Sequence, residues 1–434
     1  MRQHSYLLII TVVGLLFSDT SAADVIFEPG VGLGLEYTDN ARLSQDATEE
    51  DLITVAYVGA RVFENDGPLK YNADVLFNKN NYVNDTFEDQ RYFNLNARAD
   101  WDMIRNRFRW FLSDRFSQLP ILSNNGNTPL NIQDSNVFTF GANIQLLKSA
   151  RQTFSLVPTY SQYYFEVLKT DSKQYSLAAN WNYQVTRLTN MGFNLSARKI
   201  NYTETDLLGR SIEDTTFTSL GLTFNGQRAR STFSGSLGST NVQRDNGDET
   251  TGFSGFLSWL ADLSSRSKVE TLLSTDLTDA GSVAFSDGGS DVQITTDVIR
   301  NALASLAYLR DDASLHTRIS ARYHKLTYSE NPLDRDIISF GINASYPLTS
   351  LLFGGAYVAY SRTDQVDQAR IDKNYTVGGN LRYRFSRKLQ GLVDLKYRTK
   401  ESTRALQNYD EASIFVSLTY GFGGIRRPSR VGGF

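Results

Sequence analysis

The chain has 434 residues, 41% hydrophobic and 12% aromatic, with a net charge of −3 and no cysteine; its mean hydropathy is −0.34. Beyond its first two dozen residues it contains no run of about 18 apolar residues, which excludes a multi-helix transporter. Near-neutral charge points to neither a nucleic-acid binder nor a strongly basic membrane-surface protein, and without cysteine there is no disulfide framework. A water-soluble fold and a transmembrane β-barrel remain.

The N-terminus reads as an export signal. Arg2 supplies a positive start, Tyr6 to Phe17 an apolar core too short to cross a bilayer as a helix, and Thr20, Ser21, Ala22 and Ala23 a small-residue cleavage region. Residues 1–23 are therefore expected to be a signal peptide. The lack of cysteine near the cut removes a lipoprotein anchor, so the mature chain must hold itself in the membrane by folding.

Residues 24–422 are expected to form an all-β, antiparallel up-and-down transmembrane barrel, because segments of about ten residues alternate between apolar and polar side chains. Leu69, Tyr71, Ala73, Val75 and Phe77 alternate with Lys70, Asn72, Asp74, Leu76 and Asn78. The row Phe93, Leu95, Ala97, Ala99 and Trp101 does the same against Asn94, Asn96, Arg98 and Asp100. Further on, Tyr175 to Gln184 and Tyr375 to Phe385 repeat the pattern, and Ile414, Val416, Leu418, Tyr420 and Phe422 form the last apolar row. Charges fall opposite the aromatics, whereas a soluble sandwich would usually bury the aromatics.

Connections alternate in length, as expected of short periplasmic turns and longer outer loops. Asn65–Pro68, Ile104–Asn106, Lys148–Gln152, Thr186–Asn190, Gln227–Arg230, Arg310–Ala313, Leu348–Leu351 and Ser386–Lys388 are short. Thr38–Asp51, Ser117–Asp134, Thr203–Thr216, Val242–Gly252, Thr278–Thr296, Thr363–Lys373 and Thr399–Glu411 are longer and polar. Hairpin counting gives about 20 strands, or about 18 at roughly 20 residues per strand plus connection, since Phe253–Tyr308 alternates poorly. With a first strand expected near Val31, no preceding plug domain or passenger is expected. Residues 423–434 form a short basic tail with Arg426, Arg427 and Arg430, and either Phe422 or Phe434 is expected to be the aromatic read by the barrel-assembly machinery.

The opening Phe27-Glu-Pro-Gly-Val31, followed by Leu35-Glu-Tyr37-Thr-Asp39-Asn40, resembles the first strand of outer-membrane porin-like barrels found with exopolysaccharide and exosortase gene systems. The resemblance implies export more than nutrient uptake. Partners expected on this reading are outer-membrane lipid and lipopolysaccharide, the assembly machinery and periplasmic polysaccharide-export components.

Alternation places Arg98, Arg107, Arg109, Arg115, Arg198, Arg318, Arg322, Arg382, Arg384, Lys396 and Arg398 on the lumen side, against the acids Glu36, Asp74, Asp100 and Asp394. Such a wall would favour an anionic solute such as a uronic-acid polysaccharide, since guanidinium groups bind carboxylates bidentately. The alternative is that these arginines pair with inward acids and stiffen the wall. Loop Ser117–Asp134, with Leu119, Pro120, Ile121, Leu122 and Leu130, is expected either to constrict the lumen or to pack outside. Loop Thr278–Thr296 reads as solvated and flexible.

Catalysis has little support. His4 leaves with the signal peptide, and His316 and His324 stand eight residues apart on one strand, roughly 26 Å by strand rise, so they read as ordinary polar-face residues. No metal site, cofactor site or phosphate loop is expected. Two readings of function stay open: an outer-membrane channel, for polysaccharide export or small anions, and a non-conducting structural or docking barrel.

Overall fold

The computed structural model describes residues 25–203, 212–287 and 291–422. The expected signal peptide and basic tail, with Phe434, lie outside the described residues. Twenty strands follow one another: β1 (Ile26–Thr38), β2 (Asp51–Glu64), β3 (Leu69–Tyr82), β4 (Gln90–Ile104), β5 (Phe108–Pro120), β6 (Ile132–Lys148), β7 (Gln152–Phe165), β8 (Ser172–Thr186), β9 (Thr189–Tyr202) and β10 (Thr215–Arg228). The second half continues with β11 (Ser231–Arg244), β12 (Glu249–Ser264), β13 (Ser267–Asp279), β14 (Val298–Asp311), β15 (His316–Tyr328), β16 (Arg335–Pro347), β17 (Leu352–Gln365), β18 (Arg370–Arg384), β19 (Leu389–Ser402) and β20 (Tyr409–Gly421). An α-helix, α1 (Ala280–Asp287), follows β13 and precedes β14.

Each strand pairs antiparallel with its sequence neighbours, and β1 pairs with β20 from Gly30↔Gly421 to Thr38↔Ser413, closing the ring. Closure is what a bilayer demands, because an unpaired sheet edge cannot hydrogen-bond to hydrocarbon. The seam has its own fastening. Gly32 has no side chain where the Tyr57 ring would stand about 2.3 Å from a Cβ, and the Tyr57 hydroxyl donates across β1 to the Phe422 carbonyl at 3.2 Å.

Tight turns close one end. Gly67 (φ +88°) and Asn106 (φ +61°) take left-handed backbone there, the region that Gly and Asn tolerate best. Four register shifts, at Asp102/Ile104, Gln145/Leu147, Gln184/Thr186 and Asp262/Ser264, all lie beside these turns, where bulges end pairing and tighten the twist. Ser265–Arg266 is a short turn hidden in the poorly alternating Phe253–Tyr308 stretch, so the strand number is 20 rather than 18.

Alternation runs in the expected sense. Along β20, Ser413, Phe415, Ser417 and Thr419 are buried inward while Ile414, Val416, Leu418 and Tyr420 are exposed outward. All four tryptophans, Trp101, Trp110, Trp181 and Trp259, fall on outward rows of β4, β5, β8 and β12. Nearer the long loops, the outward Tyr37, Tyr323 and Tyr397 donate to Glu50, Asp336 and Asp410. Amphipathic rings with wet tips mark the edge of an apolar belt. Phe422 departs from its row. Gly421 (φ +81°) turns the chain, and the Phe422 ring lies 4.3 Å from the Arg61 guanidinium on the inner wall.

Val416 lies mid-strand on the lipid face, so Val416→Arg is expected to cost about 2–4 kcal/mol. The midpoint of urea unfolding from vesicles measures it, and a change within experimental error would contradict the outward assignment.

Candidate functional site: the lumen and its inward loops

Ten of the eleven anticipated basic residues lie on inward rows of β4, β5, β9, β15, β18 and β19. Arg107 differs: β4 ends at Ile104 and β5 begins at Phe108, so it sits in the tight turn below the lumen. The remaining ten divide by depth and partner.

Toward the turn end the arginines are open to water. Arg98 donates to Asp100 at 2.7 Å, with Arg109 3.9 Å from the same carboxylate. Arg318 stands 3.4 Å from Glu270 across β13 to β15. Arg382 and Arg384 project from consecutive inward positions of β18, Arg384 over the Phe353 ring at 5.5 Å. Lys396 occupies the next strand at middle height. Pairs this exposed contribute little to stability, about 0–1 kcal/mol each, so their charge is available to a passing solute.

Toward the loop end the bases hold protein instead. Arg198 reaches Asp279 at 2.8 Å and also donates to Thr278 and Ser282. Arg115 donates to the Phe285 carbonyl at 3.1 Å. Arg322 pairs with Asp291 at 3.2 Å. Arg398 makes a 2.5 Å contact with the fully buried Glu411.

Arg398 thus braces β19 to β20, whereas Arg198, Arg115 and Arg322 hold the first of two inward-folded loops. β12 and β13 stop pairing above Gly255↔Thr275, while β13 and β14 stay paired up to Asp279↔Val298. The freed tip packs on the inner wall, where Leu277 and Val298 cluster with Ile200, Phe217 and Val242. Behind it, α1 and residues 291–297 join a dry core of Leu119, Phe165, Ala280, Val283, Ala284, Phe285, Val292, Ile294, Ile299, Leu326 and Tyr328. Phe285 meets the rings of Tyr163 and Phe165 at about 5.6 and 5.5 Å. This corrects the expectation of a solvated flexible loop over Thr278–Thr296: Val283, Ala284 and Phe285 of the helix and Val292 and Ile294 beyond it are buried together against Leu119, Phe165, Leu326 and Tyr328 of the wall. Within that loop, the Asp291 carboxylate is taken up by Arg322 and His324.

The other loop, residues 121–131, also folds inward. Gln293 donates to the Ile121 carbonyl at 2.8 Å and accepts from the Ser123 amide, joining the two loops. Its tip crosses to the far wall, where Arg335, Arg370 and Lys400 bind Ser123 and Asn124. These three bases escaped the sequence reading. Lys400 shares the parity of Lys396 and Arg398 and could have been found that way. Arg370 begins β18 inside the segment read as loop Thr363–Lys373, and Arg335 begins β16 directly after a polar turn.

The histidines differ from each other. His316 lies at the water-exposed start of β15, 2.9 Å from Asp311. His324 is fully buried among Asn301 (2.6 Å), Arg322 (3.0 Å) and Asp291 (3.4 Å), a structural tie rather than an ordinary polar-face residue. Among the described residues no cluster of metal-ligating side chains occurs.

Below the loops a cavity of about 1510 Å³ is bounded by the walls of β3 to β5 and β12 to β20. Among the described residues its charged lining is seven basic groups (Arg115, Arg318, Arg322, Arg335, Lys396, Arg398, Lys400) against four acidic ones (Glu270, Asp291, Asp372, Asp394). The neutral lining is rich in Asn, Ser, Thr and Tyr, including Asn78, Asn94, Asn343, Asn374 and Tyr357.

Burial works against a charge on Asp291, but the His324 hydrogen bond and the Arg322 and Arg335 charges outweigh it and hold its carboxyl below the usual carboxylate range. A depressed folded-state value stabilises docking above the unfolded value, near pH 4, and that contribution is lost as pH falls through the folded one. Amide protection factors over residues 291–297, corrected for the intrinsic pH dependence of exchange, should therefore stay flat from pH 7 to about 5 and fall only below about pH 4. Phe285→Ala removes a ring whose burial is worth about 3–5 kcal/mol. Subtilisin should then cut within 280–297 while the barrel persists, and equal protection of the two proteins would refute the packing argument.

The comparisons agree with this geometry. Over 94% of its length the chain is similar to 82% of the FrpB iron transporter from Neisseria meningitidis (F3-3 variant), at 10% identity and a TM-score of 0.51. The apoprotein form of the F5-1 variant gives 9% identity, 91% and 81% coverage and a TM-score of 0.50. At such identities the likeness is one of fold. No curated protein matches the chain. Residues 333–422, essentially β16 to β20, match the family described as "Putative beta-barrel porin 2". With an apolar belt outside and a polar lumen inside, the chain is a multi-strand β-barrel of the outer membrane whose closing strands are similar to that family.

Proposed function

We propose that this barrel is a channel for anionic, hydroxyl-rich solutes, with export of a uronic-acid-containing polysaccharide as the best-fitting case. One observation carries the reading: the excess of basic over acidic groups around the internal cavity, set among amide and hydroxyl side chains. Guanidinium groups engage carboxylates through paired hydrogen bonds, and Asn, Ser and Tyr supply partners for sugar hydroxyls. The arginines of the turn end, Arg98, Arg109, Arg318, Arg382 and Arg384, make a positive entrance on the periplasmic side, and rings of inward charge set the selectivity of such pores. In this reading solute enters from the periplasm and meets the constriction of the two loops last.

A specific observation favours a second reading. Residues of 280–287 and 291–297 bury an apolar core against the inner wall of the outer mouth, and Gln293 ties them to loop 121–131, as a barrel serving to anchor or dock partners would require. Planar-bilayer recording of the refolded protein separates the two. The channel reading expects steady conductance with a reversal potential on the anion-selective side, and a loss of that selectivity in Arg382→Ala/Arg384→Ala. Absence of conductance in protein shown to be folded by heat-modifiable gel mobility would favour the docking barrel.

A further inference from the structure

The grip on the tip of loop 121–131 has an unusual charge balance. Arg335, Arg370 and Lys400, from three strands of one wall, are 1%, 4% and 5% exposed. Arg370 Nη2 and Lys400 Nζ both donate to the Asn124 main-chain carbonyl, at 3.2 and 2.5 Å. Arg335 Nη1 donates to Asn124 Oδ1 (3.0 Å), Ser123 Oγ (2.7 Å) and the Asp291 carbonyl (3.0 Å).

One carboxylate is bonded directly to this group. Asp372, itself 3% exposed, accepts from Arg370 at 2.7 Å and Ser402 at 2.5 Å and lies 3.5 Å from Lys400. The Asp291 carboxylate is bonded to Arg322 and His324 and acts on Arg335 only through space. Arg335 is thus met only by neutral oxygens in its hydrogen bonds, and its buried Nη2 has no hydrogen-bond partner among the described residues. Burying charge without a matching counter-charge is costly, at several kcal/mol per ion. A neutral carbonyl is a weaker acceptor than a carboxylate by roughly a factor of two in hydrogen-bond energy.

We propose that Arg335, Arg370 and Lys400 form a binding site for a carboxylate of the transported solute, and that the Asn124 tip occupies it as a neutral stand-in until the solute displaces it. Arg335, Lys400, Asp372 and Asn124 all border the internal cavity, so a solute already in the lumen reaches the cluster from below. An incoming carboxylate supplies the missing negative charge and two acceptor oxygens. The loop tip, held by those same donors, is then released and the outer mouth widens. The constriction becomes a latch opened by its own cargo, which rests on the channel reading above.

The chain has no cysteine, so Leu122→Cys in the full-length protein, half exposed beside the tip, takes a polarity-sensitive dye at one position. The probes are trigalacturonate and, as the neutral control, maltotriose, with dye emission and bilayer conductance read on the same preparation. Trigalacturonate is expected to shift the dye toward water and raise open probability, while maltotriose does neither. In Arg335→Gln and, separately, Lys400→Gln, the dye should start nearer its released value and respond on the order of tenfold more weakly to the acid.

An unmoved dye in labelled parent protein that conducts with anion preference overturns the latch and leaves the channel standing. A dye that responds to the acid in protein that never conducts overturns the channel and leaves an anion site. Equal responses to both sugars, or an unchanged response in the two variants, overturn the charge argument. If a variant fails to fold, the labelled parent still decides between the first two outcomes.

Discussion

Everything in this molecule follows from the refusal of hydrocarbon to hydrogen-bond with a peptide group. A sheet placed in that solvent has to end where it began, and here it does so through nine paired positions between β1 and β20. Once the ring is closed, each residue has only two places to point. Period-two alternation then sorts the chain into a lipid face and a water face, and the ionisable groups within the apolar belt gather largely on the water face.

Within the lumen the same kind of side chain does different things at different heights. Arg98 and Arg318 stand in water with loosely held acids and keep an accessible positive charge. Arg198 and Arg322 are largely buried, Arg335 almost wholly so, and all three are committed to loop atoms. Solvent access makes the difference: a screened ion pair is nearly neutral in energy, whereas a buried cation requires acceptors and so fixes whatever supplies them. The gradient from open to committed arginine therefore makes the two ends of the lumen unlike without any change in residue type.

Much of the wall was legible in the sequence, because alternation is local. Tyr71 to Phe77, or Ile414 to Tyr420, reveal their facing without knowledge of any other strand. The hairpin around Ser265–Arg266 was harder to see because Phe256, Leu260 and Leu272 are apolar yet face the lumen. The destinations of the loops were not legible at all. Nothing local to Asn124 reports that its carbonyl will meet residues more than two hundred positions away, nor that Phe285 will find Phe165. Those contacts depend on the ring being closed first, so that opposite walls come within reach. The bases missed, Arg335 and Arg370, stand at strand ends where a one-residue error in a boundary reverses the inferred face.

The crossing of loop 121–131 from the β5–β6 side to β16, β18 and β19 has a mechanical meaning as well. A ring of twenty strands resists stretching along its circumference but flattens easily into an ellipse, since flattening only bends the sheet. A strap fixed to both walls acts as a spoke. It opposes lengthening of one diameter and leaves the perpendicular one soft, so lateral pressure in the bilayer should deform the cross-section unequally along the two axes.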